Sequence, residues 1–254
     1  MRGMTPASAA AATLDDLVVA SRILAAQDVL DGFGHVSARH PDRVDRFVIP
    51  RMRAPGLVTR ADLVEVYLDG RPCEPAAPPA PAERAIHAAI YRARPDINAV
   101  CHHHSAAVLP FCITGTPLVP VFHVGATMGS HVPVWDSRDA FGDTDLLVVN
   151  AAQGDSLARA LDAFWTVLMR GHGATVAGRT VREMTFRSIY GARNAALQLA
   201  ASRLGPAIPL SPGEAAAAGE LNLRPVIVDR AWDLWTAQLA APHDLPSTPG
   251  EPTC

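Results

Sequence analysis

The chain contains no lysine: all 22 of its basic residues are arginine. Without lysine there is no Schiff-base nucleophile, which excludes a class I aldolase or a pyridoxal-phosphate enzyme. There is also no Walker-A lysine, which excludes a standard P-loop NTPase. If this chain breaks a carbon bond, its electron sink is something other than an iminium. Cysteine is scarce too. The four (Cys73, Cys101, Cys112, Cys254) show no CxxC spacing, so free thiols of a reducing compartment are expected. An excess of one charge is lacking: 22 basic residues stand against 25 acidic ones, and the arginines are scattered. Nothing there favours nucleic acid. Long apolar runs are missing as well. The N-terminal stretch holds one arginine and small residues, then meets Asp15 and Asp16. It reads neither as a signal h-region nor as a membrane span, and a soluble, cytoplasmic protein is expected.

What is present is enough for one core. A chain of 254 residues, 49% hydrophobic, can bury a full interior without staples. Residues 13–31 carry a helical apolar pattern, with Thr13 as cap and Asp15 and Asp16 in the first turn. A glycine-rich turn then opens a strand near His35. Short strands are expected at 47–49, 64–68, 99–101, 146–149, 167–169 and 174–176. A proline-rich loop leads into a helix at 83–93. Further helices are expected at 153–165, at 180–204 with a Thr180/Glu183 capping box, and at 225–240. Residues 110–145 read as irregular. Residues 1–12 are expected to be a flexible N-terminus, 13–241 a single domain, and 242–254 a disordered tail. Strands and helices interleave without a regular βαβ period, so a single α/β sandwich of mixed sheet and flanking helices is expected.

Seven of the ten histidines lie between His87 and His172. His102 and His104 follow an apolar strand at i, i+2 and so share a face, while His103 points away. Two imidazoles on one face can chelate a metal ion or form a satisfied histidine cluster; a third ligand must come from elsewhere. His172, flanked by glycines after an apolar strand, is a candidate ligand or a turn residue. Glu83, at a helix start, can serve as fourth ligand, as general base, or simply favour the helix dipole. Arg84 is either an anion clamp or a surface residue.

Taken together, these motifs resemble the class II aldolase/adducin family. Its sugar-phosphate aldolases carry a Gly-Asn-x-Ser loop, an E-x-x-x-H-x-x-x-Y helix, H-x-H on a strand and a later H-G turn. Here these are Gly34-His35-Val36-Ser37, then Glu83, His87 and Tyr91, then His102 and His104, then His172-Gly173. The resemblance covers about residues 14–204. It implies a single-domain three-layer αβα sandwich and a homotetramer with sites between subunits. It also implies one divalent metal per subunit on His102, His104 and His172, with Glu83 as acid/base. Manganese or zinc is expected, and cobalt or iron also suits three imidazoles.

The departures point away from a sugar phosphate. The loop Asn is His35, the family's Thr-Pro-x-Gly loop reads IPRMRAPG, and its Ser pair is Pro81-Ala82. Small hydroxyl and amide donors have gone, apart from Ser37, and Arg51, Arg53, Arg84 and His35 stand in or near their places. Guanidinium suits carboxylate. The E-R-x-I-H helix start, the Val121-Phe122-His123 segment and MRGHG resemble the family's metal-dependent decarboxylases of hydroxylated aromatic dicarboxylates, whose substrates include 3-hydroxy-2-methylpyridine-4,5-dicarboxylate and 3,4-dihydroxyphthalate. His123 is a candidate substrate contact, and His131 is read as structural.

This implies a metal-dependent decarboxylase of a pyridine- or benzene-dicarboxylate with an ortho hydroxyl, a metal-bound phenolate being the electron sink. Glu83 would protonate the ring carbon, for which a raised pKa is expected. Alternatives are a class II aldolase or epimerase of a sugar derivative and, further off, a non-catalytic adducin-like interaction domain. The partners expected are a small aromatic carboxylate and further copies of the chain, with no nucleic acid and no membrane.

Overall fold

The structure is a computed structural model, and it describes residues 6–240. Seven strands form one mixed sheet: β1 (His35–Arg39), β2 (Arg46–Pro50), β3 (Leu63–Tyr67), β4 (Ala99–His103), β5 (Val134–Trp135), β6 (Thr166–Met169) and β7 (Gly173–Gly178). Their order across the sheet is β3-β2-β1-β4-β7-β6-β5. All neighbours are antiparallel except β5 and β6.

Eight α-helices flank it: α1 (Pro6–Ala26), α2 (Arg84–Ala93), α3 (Leu109–Thr114), α4 (Arg138–Phe141), α5 (Ala151–Leu161), α6 (Val181–Ala201), α7 (Pro212–Asn222) and α8 (Pro225–Ala240). Strand alternation divides the buried apolar residues between two faces. Val36, Ala38, Cys101 and Ala174 pack with α1, α6 and α8, whereas Phe47, Ile49, Val100 and Ala177 pack with α2 and α5. This is the expected αβα layering. No helix among the described residues is long and apolar enough to cross a membrane. Cys73, Cys101 and Cys112 are free thiols. Cys254 and the tail expected at 242–254 lie outside the described residues.

Several expected elements differ from those observed. The first helix begins at Pro6, not at residue 13, and ends at Ala26. The alanine run at 9–12 continues it because alanine has the highest helix propensity. Residues 6–12, expected as part of a flexible N-terminus, are therefore helical. The helix expected at 153–165 is α5, and the irregular region 110–145 holds α3, α4 and β5. A helix at 212–222 was not anticipated, although Ser211, Pro212 and Glu214 give it a full capping box with proline in the first turn. The capping box at Thr180 is half made. Thr180 accepts from the Glu183 amide, but the Glu183 carboxylate turns instead to Arg187.

The strand expected at 146–149 is absent. Leu146 has φ of 68°, which breaks an extended run. The Leu146 carbonyl and the Val148 amide of this segment go to the site described next.

Candidate metal centre and adjoining cavity

β4 delivers the H-x-H pair as alternation requires. His102 is fully buried on the α2/α5 face, and His103 is buried on the opposite one. His172 sits in the turn between β6 and β7. Gly171 there takes φ of 67°, a left-handed conformation that glycine adopts without strain. Gly173 lies so close to the His103 carbonyl and the His104 ring that a Cβ would collide with both. The two flanking glycines therefore let His172 close on the pair.

Glu83 is the N-cap of α2, yet its carboxylate makes no cap hydrogen bond. Oε1 accepts from the Val148 amide at 3.1 Å. Oε2 lies 3.4 Å from His102 Nε2 and 3.7 Å from His172 Nε2. His104 Nε2 is 3.0 Å from the Nε2 of both His102 and His172. The four ligand atoms lie within 4.8 Å of one another.

The outer nitrogens decide what this cluster can hold. His172 Nδ1–H donates to the Leu146 carbonyl at 2.8 Å, so its Nε2 presents a lone pair. His102 Nδ1 is 3.3 Å from Thr175 Oγ1, whose own proton goes to Met169 Sδ. The hydroxyl oxygen thus accepts from His102, and that Nε2 is bare as well. A carboxylate oxygen and at least two imidazole lone pairs meet with no fixed cation among them. Such an acceptor set suits a divalent cation.

Burial, reinforced by the neighbouring imidazoles, lowers the pKa of His104 to about 4 and also lowers that of His172, so both are neutral near pH 7. Burial alone would raise Glu83. The His102 and His172 imidazoles, where they carry protons at low pH, and the Val148 amide outweigh it and bring Glu83 to about 2. The raised pKa expected for Glu83 is not found, because the carboxylate faces imidazoles and an amide N–H, not apolar side chains.

A cavity of about 260 Å³ lies near the cluster, although none of the four cluster residues lines it. Pro81, two residues before Glu83, lines it, and so does His35, whose ring lies 5.3 Å from that of His102. Phe33, Met52, Arg51 and Arg53 complete its mouth. Asp62, a buried residue that sequence reasoning missed, braces Arg51 and lies beside Arg53, whose Nε–H goes to the Leu57 carbonyl at 2.8 Å. Asp62 accepts from Arg51 Nε at 2.7 Å and pairs with Arg53 Nε at 3.3 Å, while Thr59 satisfies its other oxygen. The Thr59-x-x-Asp62 capping box was the sequence signal that could have found it.

Other expected substrate contacts fall elsewhere. Ser37 is fully buried, its hydroxyl committed to His87 Nδ1 at 2.6 Å and Tyr91 Oη at 2.7 Å. Arg84 turns away from the cluster and donates to the Gly70 and Pro81 carbonyls at 2.7 and 3.1 Å, pinning the proline-rich loop. His123 is exposed, and among the described residues no hydrogen bond joins its ring to the cluster; its carbonyl accepts from Asn222. His131 is exposed with its ring against Phe164.

This arrangement can be set beside known proteins. The chain is 36% identical to decarboxylase tropJ of Talaromyces stipitatus, over 85% of this chain and 90% of that protein. It is 30% identical to 3,4-dihydroxyphthalate decarboxylase of Arthrobacter keyseri, over 76% of this chain and 79% of that protein. Among solved structures, L-fuculose 1-phosphate aldolase from Glaciozyma antarctica shares the fold with a TM-score of 0.76 at 23% identity, covering 94% of this chain and 92% of that one. Residues 15–199 match the family model described as the Class II Aldolase and Adducin N-terminal domain, and the chain belongs to the class II aldolase and adducin family.

Proposed function

We propose that this lyase is a divalent-metal-dependent decarboxylase of a hydroxylated aromatic carboxylate, a benzene- or pyridine-dicarboxylate with an ortho hydroxyl. The observation that carries the reading is the pairing of a His/Glu cluster that could hold a metal ion with a nearby cavity whose cations are the guanidiniums of Arg51 and Arg53. The names of the two decarboxylase relatives agree with it. His102, His104 and His172 would hold the ion, with Glu83 beside them. A divalent ion there supplies positive charge next to the ring oxygen and so draws off the electrons left when carbon dioxide departs. Manganese and zinc are the ions we propose.

The chain's own groups supply the rest. Arg51, whose Nε donates to Asp62, and Arg53, whose Nε donates to the Leu57 carbonyl beside Asp62, keep their outer N–H groups for a substrate carboxylate. The apolar walls of the cavity accept a flat ring. An ionised Glu83 is a base before it is an acid. It takes the proton of the substrate hydroxyl, and carbon dioxide leaves with cleavage of the ring-carboxylate bond. Glu83 then returns that proton to the ring carbon, which retains the bonding pair. The product oxygen regains a proton from water as it leaves, so Glu83 ends ionised as it began.

We also propose a cytoplasmic homotetramer with sites between subunits. Phe33 and Met52, 74% and 67% exposed at the cavity mouth, support burial of this rim by a second copy.

Carbon dioxide release across a panel of ortho-hydroxy aromatic dicarboxylates, with manganese or zinc added, tests the function. Release from at least one member, abolished by chelation and restored by metal, is expected. No release from any, together with aldol cleavage of a sugar phosphate, would replace this reading with the aldolase one.

A further inference from the structure

The His35 ring that lines the cavity is tied to a chain of buried groups that the proposed chemistry does not use. His35 Nδ1 is 2.7 Å from His87 Nε2. His87 Nδ1 is 2.6 Å from Ser37 Oγ, and Ser37 Oγ is 2.7 Å from Tyr91 Oη. His87, Ser37 and Tyr91 are each 1% exposed or less. His87 and Tyr91 are four apart on α2, and His35 and Ser37 are two apart on β1. Helical and strand periods thus set four polar groups in one line between the sheet and the helix.

A line of this kind has a direction. A buried phenol must donate its proton, because an unmade hydrogen bond costs its full desolvation. Among the described residues, Ser37 Oγ is the hydrogen-bond acceptor within reach of Tyr91 Oη. Ser37 therefore spends its own proton on His87 Nδ1. His87 then carries its proton on Nε2 and donates to His35 Nδ1. His35 is left with its proton on Nε2. That nitrogen has no protein partner among the described residues, and the residue faces the cavity shared with Arg51 and Arg53.

We infer that Tyr91, Ser37 and His87 are positioning residues that lock His35 in its Nε2–H tautomer, making it a fixed hydrogen-bond donor to a substrate carboxylate in this cavity. The identity of the recipient rests on the decarboxylase reading; the tautomer does not. In this chain each ring accepts at its Nδ1 and donates from its Nε2, so the donor is a neutral imidazole whose alternative tautomer would offer a lone pair to an anion. The chain removes that repulsive alternative before substrate arrives.

The test is long-range 1H–15N correlation spectroscopy of the zinc-loaded protein labelled at histidine, which reports the protonated nitrogen of each ring. His35 signals are assigned by their loss in His35→Asn. Both His35 and His87 are expected as Nε2–H tautomers in the unaltered protein. Tyr91→Phe removes one oxygen and its proton, and with them the direction of the chain. His35 is then expected to become a mixture of tautomers, with KM for the aromatic carboxylate rising about two- to tenfold and kcat within about twofold. Ser37→Thr keeps the hydroxyl and is expected to retain the original tautomer. Finding the His35 proton on Nδ1 in the unaltered protein overturns the inference, with or without a variant. So does a Tyr91→Phe protein whose His35 remains wholly Nε2–H, or one whose tautomer shifts while KM stays fixed. Failure of every aromatic carboxylate to react defeats the proposed reaction instead, and the tautomer spectrum, which needs no substrate, still decides the chain.

Discussion

Two glutamates in this molecule stand at helix starts, largely buried, and meet opposite fates. Glu183, in the first turn of α6, accepts from Arg187 one turn on, at 2.9 and 2.7 Å. Arg187 is itself buried, donates to the Thr127 carbonyl, and lies 4.3 Å over the Trp165 ring. Burial lowers its pKa to about 10, which leaves it charged at neutral pH. Glu83, at the start of α2, has no such partner. Its i+4 neighbour is His87, which faces Ser37 and His35, and its carboxylate looks at the imidazoles of His102 and His172. The first carboxylate is matched by a permanent cation and its position is closed. The second belongs to a His/Glu set that could hold a cation from outside. Charge balance, more than burial, separates the glutamate paired with an arginine from the one that is not.

The sharpest way to break this contrast is to remove a ligand. His104→Ala should abolish metal binding and turnover together while leaving the thermal transition in place, as read by elemental analysis and carbon dioxide release; unchanged metal stoichiometry would sink the triad. Glu83→Gln keeps the volume and loses the base. The metal should stay, and turnover should fall by about two to four orders of magnitude. Near-normal turnover would remove Glu83 from the chemistry.

Changing the other glutamate should reverse the pattern. Glu183→Ala strands a buried guanidinium, and denaturant unfolding should show a loss of about 3–5 kcal/mol. Carbon dioxide release per folded molecule should be unchanged. A fall in kcat with intact stability would show that the two carboxylates are not separable as argued.

The sequence carried much of this centre because chelation imposes short-range rules. An H-x-H on a strand shares a face whatever surrounds it, and glycines around a histidine announce close approach. The αβα layering was legible for the same reason, through periodicity. What could not be read depended on contacts distant in sequence. Leu146 to Val149 looks like a strand because an apolar run is the same string whether its amides meet a ladder or, as here, Glu83 and His172. Ser37 has the composition of a loop donor, yet its position on β1 turns its hydroxyl inward to His87. The pKa of Glu83 follows from which side chains face it, and that is a tertiary fact.

Arginine direction was the least legible of all, and it supplies the finest test. Arg51 and Arg84 both stood near lost phosphate donors in the sequence. The fold sends Arg51 to the cavity, braced by Asp62, and Arg84 to carbonyls of the loop around Gly70. Arg51→Ala should raise KM about tenfold or more, the loss of a hydrogen bond to a charged group, with a smaller change in kcat. Arg84→Ala should leave KM within about twofold. Its guanidinium serves a half-exposed loop, so stability should fall by about 1 kcal/mol, the net worth of a typical internal hydrogen bond. If instead Arg84→Ala raised KM as much as Arg51→Ala, the carboxylate would have to lie against the start of α2. The cavity beside His35 would then not be where the substrate binds.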